Sequence, residues 1–113
     1  MQIIGTLKCR DTKKCRLWFD QRGVKYHFVD LAKRALSDGE LESIAAGRSW
    51  DDLLDRDGRA WNKRQLAWKD YDPRAELREE PGLLKTPVVR EGRDAVIGHD
   101  EQGWERIRTM MAH

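Results

Sequence analysis

The spacing of apolar residues shifts along this chain, and each shift marks an element. Ile3 and Ile4 lie in a short run, Gln2 to Thr6, that reads as a strand. From about Asp11 to Arg22 the spacing becomes helical: Cys15, Trp18 and Phe19 share one face, and Gly23 is placed to end the helix. Val24 to Asp30 then alternates, with Val24, Tyr26 and Phe28 on one side, as a second strand does. Strand, helix and strand in that order predict a parallel pair joined by a right-handed crossover.

The middle of the chain has helical spacing and helix punctuation. Ser37 to Glu40 reads as a capping box leading into Leu41, Ile44 and Ala45. Ser49 is expected to cap a short helix carrying Leu53 and Leu54. Asp57-Gly58 reads as a turn, and Asn62 to Lys69 as another short helix. Asp72-Pro73 is an N-cap followed by a first helical residue, for a helix to about Glu80 that Pro81-Gly82 stops. The last third returns to strands. Thr86-Pro87-Val88-Val89-Arg90 reads as a strand with proline at its start, Glu91 to Asp94 as a hairpin turn, and Ala95 to Gly98 as the return strand. Asp100 is expected to cap a final helix with Trp104, Ile107 and Met111 on one face. The order is βαβ, then helices, then ββα. That is an α/β, thioredoxin-like arrangement: a single domain over residues 1–113 with a helical insertion at about 37–80 between its halves.

Composition narrows the function classes. Charged residues make up 37% of the 113, but the net charge is only +2, so no general attraction to nucleic acid or anionic membrane is expected. No apolar run approaches a membrane span. The first residues open into strand sequence with no signal-peptide pattern, and two cysteines do not make a secreted disulfide scaffold. A cytoplasmic, monomeric protein is expected. Arg59 to Lys69 interleaves basic residues with tryptophans. Asp70, Asp72, Glu76 and Glu79 follow at once, which favours a mixed-charge surface over a nucleic-acid site. His27 and His99 are scattered and the cysteines lack zinc-ligand spacing, so no metal is expected. Trp18, Trp50, Trp61, Trp68 and Trp104 read mostly as core or half-buried packing.

The chemistry concentrates at Cys9, where the first strand gives way to the first helix. A helix start presents unpaired backbone N–H groups and the positive end of a dipole. Lys8, Arg10, Lys13, Lys14 and Arg16 surround the thiol with positive charge, and only Asp11 opposes them. Both effects favour thiolate over thiol, so Cys9 is expected to be nucleophilic at neutral pH. Asp11 or Thr12 reads as a helix cap. Cys15 is the candidate resolving thiol, but residues six apart on a helix point to different sides and lie about 9 Å apart along the axis. A disulfide needs Cα atoms within roughly 7 Å. Cys15 also shares a face with Trp18 and Phe19, so a small core residue is the favoured reading.

These segments together resemble the ArsC/Spx/YffB family, the arsenate-reductase-like branch of the thioredoxin fold. Cys9 to Phe19 reads C-R-D-T-K-K-C-R-L-W-F against a family pattern near C-D-T-V-K-K-A-R-K-W-L. Leu53 to Trp61, Leu84 to Val89 and Ala95 to Gly98 match further family stretches in order. The opening Gly5-Thr6-x-Lys8-Cys9 resembles a bacterial subgroup of small ArsC-family proteins. The resemblance implies a redox-active Cys9, glutathione as co-substrate with no bound cofactor, and a glutaredoxin- or thioredoxin-type reductant. It also implies a cis bond before Pro87, facing the cysteine and leaving the Thr86 backbone to pair with a thiol substrate such as glutathione. Lys13 and Lys14 either tune the thiolate, meet a glutathione carboxylate, or form a solvated helix face.

The departures from the family matter equally. Arsenate reductases of this family hold the oxyanion with three arginines, and the resemblance puts those positions at Asp55, Thr86 and His99. An arginine offers a planar bidentate donor to such an anion. Arg56, Arg59 and Arg90 lie nearby in sequence; Arg56 and His99 are kept as candidate substrate-binding residues. Spx-type regulators carry Cys-x-x-Cys where this chain has Thr12 at the last position, so that disulfide switch cannot form. Three functions follow as expectations: a thiol oxidoreductase, an Spx-like module docking on RNA polymerase or another protein, or a glutathionylated redox sensor.

Overall fold

The computed structural model describes residues 1–112. In chain order its strands and α-helices are β1 (Gln2–Gly5), α1 (Arg10–Gln21), β2 (His27–Asp30), α2 (Asp38–Ala45), α3 (Arg59–Lys63), α4 (Pro73–Glu79), β3 (Val88–Glu91), β4 (Asp94–Ile97) and α5 (Glu101–Met111). They fall into two compact units. One comprises Met1–Arg34 with the stretch from Thr86 onward; the other is Ala35–Lys85.

The first unit is a four-stranded mixed sheet in the order β2-β1-β3-β4. β1 and β2 run parallel with Ile3 opposite Phe28; β3 runs antiparallel to β1 with Val89 opposite Ile3, and Val96 of β4 lies opposite Val89. That register lines Phe28, Ile3, Val89 and Val96 across one face. Cys15, Trp18 and Phe19 of α1 and Trp104 and Ile107 of α5 pack on it as one core. Each large apolar side chain so buried contributes about 1.5–3 kcal/mol. The rings meet edge-on or tilted, Trp18 to Phe19 at 4.8 Å and Trp18 to Trp104 at 5.9 Å between centroids. The unit has the expected thioredoxin-like order, βαβ then ββα.

Two ends differ from the pattern for visible reasons. β2 starts at His27 instead of Val24, because Gly23 (φ 68°) turns the chain left-handed and the Val24 N–H still bonds the Phe19 carbonyl at 3.1 Å. Val24 and Tyr26 remain half-buried against the core without joining the ladder. Met111, expected beside Trp104 and Ile107, lies in the last turn of α5 and is 38% exposed.

The second unit is the helical segment, Ala35–Lys85. The Ser37 box forms as read, with the hydroxyl accepting from the Glu40 N–H and the Glu40 carboxylate accepting from the Ser37 N–H. Ser49 caps a single 3₁₀ turn, Trp50–Leu53, and Asp72 caps α4. The helix expected over Asn62 to Lys69 is broken. α3 ends at Lys63, Gln65 takes a left-handed backbone (φ 57°), and a 3₁₀ turn follows at Leu66–Trp68. On a continuous helix Trp61 and Leu66 would point about 140° apart; the break lets both bury. It also turns Trp68 outward, 89% exposed, contrary to the expectation that the tryptophans pack inside.

Candidate functional site

Every part of the Cys9 site lies in the first unit. Cys9 is the N-cap of α1, with extended backbone (φ −76°, ψ 121°), and its own side chain does not cap the helix. The sulfur is therefore left to face the segment before β3. The Thr86 hydroxyl donates to Cys9 Sγ at 3.1 Å, and the thiol in turn donates weakly to the Thr86 carbonyl at 3.8 Å. The Thr86–Pro87 bond is cis, Pro87 is buried, and its carbonyl accepts from the Gly98 N–H at 2.8 Å. The Thr86 N–H has no hydrogen-bond partner among the described residues.

The electrostatics of Cys9 come from donors. Partial burial opposes ionisation and is the largest single influence. It is outweighed by the hydroxyls of Thr12 and Thr86 and by the backbone N–H groups of Thr12 and Asp11, so the thiol sits below its ordinary range. The backbone contribution is the helix-start effect read from sequence. The surrounding lysines are not what lowers it: Lys13 and Lys14 are exposed, and the groups that favour the ionised sulfur are hydroxyls and backbone N–H groups.

Thr12 is the residue that the sequence misassigned. Neither it nor Asp11 caps α1. Thr12 is fully buried, and its Oγ1 has no partner in hydrogen-bond geometry, yet it is the strongest of the groups that favour the thiolate. The available signal was its position three residues after Cys9, on the same side of the helix start.

The other candidates distribute as follows. The His99 ring packs tilted against Trp104 (4.8 Å between centroids, 52° between planes), with its ring nitrogens 3.7 Å from Asp11 Oδ1 and 3.4 Å from Glu101 Oε2. It is thus tied to the first turn of α1 that follows Cys9. Arg56 belongs to the second unit, where its guanidinium lies 3.8 Å from Asp51 Oδ1 and over the Trp61 ring. Asp55, also in that unit, accepts from the Asp57 N–H and makes a local turn. Cys15 is fully buried among Trp18, Phe19 and Trp104, and burial pushes its thiol up to about 12. Both cysteines are free. Among the described residues no cluster of three or more His, Cys, Asp or Glu could hold a metal, and no helix is long and apolar enough to cross a membrane.

Comparison with known proteins agrees with this architecture. No family model matches the chain. A solved YffB protein superposes with a TM-score of 0.82 at 26% identity, covering 93% of this chain and 96% of that one. An arsenate reductase (ArsC) related protein from Brucella melitensis gives 0.71, also at 26% identity, over 93% and 91% of the two chains. In sequence, the global transcriptional regulator Spx 2 of Oceanobacillus iheyensis is 24% identical over 98 residues, covering 82% of this chain and 73% of the regulator. In fold and ordered motifs the chain is similar to ArsC-family, arsenate-reductase-like proteins of the thioredoxin fold, and more weakly in sequence to an Spx regulator.

Proposed function

We propose that this protein is a cytoplasmic thiol oxidoreductase that works with one cysteine and is recycled by an external thiol. The observation that carries the reading is the placement of Cys9: half-exposed at a helix start, hydrogen-bonded by Thr86, with the second cysteine buried and held as a neutral thiol. The substrate class is a mixed disulfide with glutathione. Cys9 thiolate attacks the glutathionyl sulfur; a new S–S bond forms to Cys9, the old one breaks, and the released thiolate takes a proton from water. A second glutathione, as thiolate, then attacks the adduct. Glutathione disulfide leaves and the electron pair returns to Cys9, so the net change converts one mixed disulfide and one glutathione into one free substrate thiol and one glutathione disulfide. Thr86, with its unpaired N–H, supplies the wall on which a γ-glutamyl peptide can pair. A glutaredoxin or thioredoxin-type protein is the alternative reductant.

Arsenate is a poor fit as substrate. Where the family's arsenate reductases place an oxyanion-binding arginine, this site offers the Thr86 hydroxyl to the sulfur and a His99 already engaged with carboxylates. A single hydroxyl is no match for a bidentate guanidinium. The test is turnover of a glutathionylated peptide with glutathione, coupled to glutathione reductase, for the wild type and Cys9→Ser, with arsenate in parallel. Turnover lost in Cys9→Ser is the expected result. No turnover by the wild type overturns the reading, and an adduct that accumulates without turnover replaces it with a glutathionylated sensor.

The Spx relative favours a second reading, a regulatory module docking on a protein such as RNA polymerase. A stoichiometric, saturable complex with purified polymerase, unaffected by Cys9→Ser, supports it; no binding at micromolar concentration removes it.

A further inference from the structure

We propose that the groove along the free edge of β2 is a docking site for an acidic, extended polypeptide segment, and that this segment is the protein part of the glutathionylated substrate. The second clause rests on the oxidoreductase reading. Strand order leaves β2 at the edge of the sheet, with β1 on its inner side. The His27 N–H bonds the Met1 carbonyl and the Leu31 N–H bonds the Gly5 carbonyl, each at 2.9 Å. In a parallel ladder alternate residues face the partner strand, so the Phe28 N–H and carbonyl and the Asp30 N–H point away from β1. The Asp30 carbonyl is closed by the N–H groups of Lys33 and Arg34 at 3.0 and 3.1 Å. The outward groups that remain can pair with a short added strand.

Side chains beside this edge set the sign of the partner. A groove of about 450 Å³ lies there, and its lining includes Leu7, Arg16, Phe28, Asp30, Lys33 and Arg34. The Arg16 guanidinium lies 4.2 Å from the centroid of the Phe28 ring, and its Nε donates to the Tyr26 hydroxyl at 3.3 Å. Those two contacts fix the cation at the groove. Among the described residues neither Arg16 nor Lys33 forms an ion pair. The one acid in the lining, Asp30, accepts from the Ala32 N–H at 3.0 Å. Three cations against one acid favour a negatively charged guest. They also oppose a second copy of this chain, because pairing two β2 edges brings Arg16, Lys33 and Arg34 of both copies together.

The position of the groove says which polypeptide is meant. Leu7 lines it, is 54% exposed, and stands two residues before Cys9. Two residues of chain span at most about 7 Å, so the groove begins beside the nucleophile. Acidic residues flanking a glutathionylated cysteine can therefore enter it while the sulfur meets Cys9, and Leu7 gives them an apolar contact at the mouth. Arg16 and Lys33 are then specificity residues, outside the reacting atoms.

The experiment uses two glutathionylated peptides that differ only in the residues flanking the cysteine, Glu and Asp in one, Lys and Arg in the other. The mixed disulfide of glutathione and 2-mercaptoethanol is the small control substrate. Turnover with glutathione is measured for wild type and Lys33→Glu. The acidic peptide is expected to show a KM lower by about tenfold at low salt, a preference that shrinks as salt is raised. Lys33 is exposed, so its replacement disturbs no packing. Lys33→Glu is expected to raise the KM of the acidic peptide about fivefold, with kcat and the small substrate unchanged. Equal KM values for the two peptides, or a preference that Lys33→Glu leaves untouched, overturn this inference and spare the oxidoreductase reading. No turnover of any of the three substrates overturns that reading instead. Fluorescence anisotropy with labelled peptides carrying serine in place of the cysteine then decides the groove. Tighter binding of the acidic peptide, weakened by Lys33→Glu, keeps it as a docking site, and equal binding removes it.

Discussion

Cys9 and Cys15 are the same side chain six residues apart in one helical segment, and their environments drive them to opposite ends of thiol chemistry. Cys9 stands before the first turn, half-exposed, with hydroxyl and N–H donors that favour its ionised form. Cys15 lies a turn and a half further on, fully enclosed by aromatic rings with no donor, and burial alone pushes its thiol up to about 12. What separates the two is the supply of donors at the helix start and its absence in the core. The largest way to break the comparison is to remove each thiol in turn. Cys9→Ser is expected to reduce thiol exchange to the uncatalysed background. Cys15→Ala is expected to leave turnover intact and lower stability by about 1 kcal/mol, the order of one lost buried methyl-sized group. Turnover assays and urea denaturation on both variants check the pair. Equal losses of activity would mean that the two cysteines act together.

The pH dependence of stability sharpens the same contrast, because the two thiols act with opposite sign. Cys15 has a raised value in the folded state. Its stabilisation is complete below the unfolded value, near 8.5, and is lost as pH rises from there toward 12. Over that window the unfolded state is the one that has lost the proton, so stability falls by about 1.4 kcal/mol per pH unit. Cys9 has a lowered value. Its contribution is present above the unfolded value and is lost as pH falls through the folded one. Denaturation from pH 7 to 10.5 should therefore show a shallower alkaline decline for Cys15→Ala than for wild type and a steeper one for Cys9→Ala. Parallel curves for all three would refute the assignment.

Two smaller perturbations test the frame that holds Cys9. Gly5→Ala drives a methyl to within 2.4 Å of Thr12 Oγ1. Because Thr12 is fully buried, the neighbouring backbone must shift, at about 1–3 kcal/mol. Thermal or urea unfolding measures this, and the Cys9 alkylation midpoint should move in the same variant. Thr86→Val deletes the 3.1 Å donor to the sulfur and leaves the fold intact. The expected result is a several-fold slower alkylation of Cys9 at pH 7, as for one charge-assisted hydrogen bond in a half-exposed site. An unchanged rate would assign the thiolate to the helix start alone.

Much of this was legible in the sequence, for identifiable reasons. Strand alternation and helix caps are local signals: Ser37, Ser49, Asp72 and Asp100 all cap where they were read. Cys9 was legible because a helix start is a local electrostatic feature, and Cys15 because helical spacing ties it to Trp18 and Phe19. Thr12 was not. Its role depends on Gly5 across a loop and on being sealed from water, and neither is a property of its own neighbourhood in sequence. The break at Gln65 was missed because burying both Trp61 and Leu66 overrides the local helical preference. Trp68 was misplaced for the same reason: its spacing was judged on a helix that does not continue.

The lysines give the last and smallest test. Lys13 and Lys14 follow Cys9 closely in sequence, and a count of charges gives them a leading part in ionising it. In the folded protein both are exposed on α1, and the donors that act on the sulfur are Thr12, Thr86 and the first-turn N–H groups. Charges in water are weakened by the high dielectric constant, and added salt screens them over about 8 Å at physiological ionic strength. Their influence on Cys9 should therefore be small and salt-dependent, whereas hydrogen bonds at contact distance are not screened. The double variant Lys13→Ala/Lys14→Ala is expected to alter the alkylation rate at pH 7 by less than about twofold at physiological salt. Any difference should vanish as salt is raised toward 1 M. The same variant assayed with a glutathionylated substrate separates the two roles left open for these residues. A raised KM with unchanged alkylation assigns them to the glutathione carboxylates. No change in either leaves them as a solvated face. A large, salt-insensitive fall in alkylation would restore the lysines as the source of the thiolate and reverse the lesson drawn from Cys9 and Cys15.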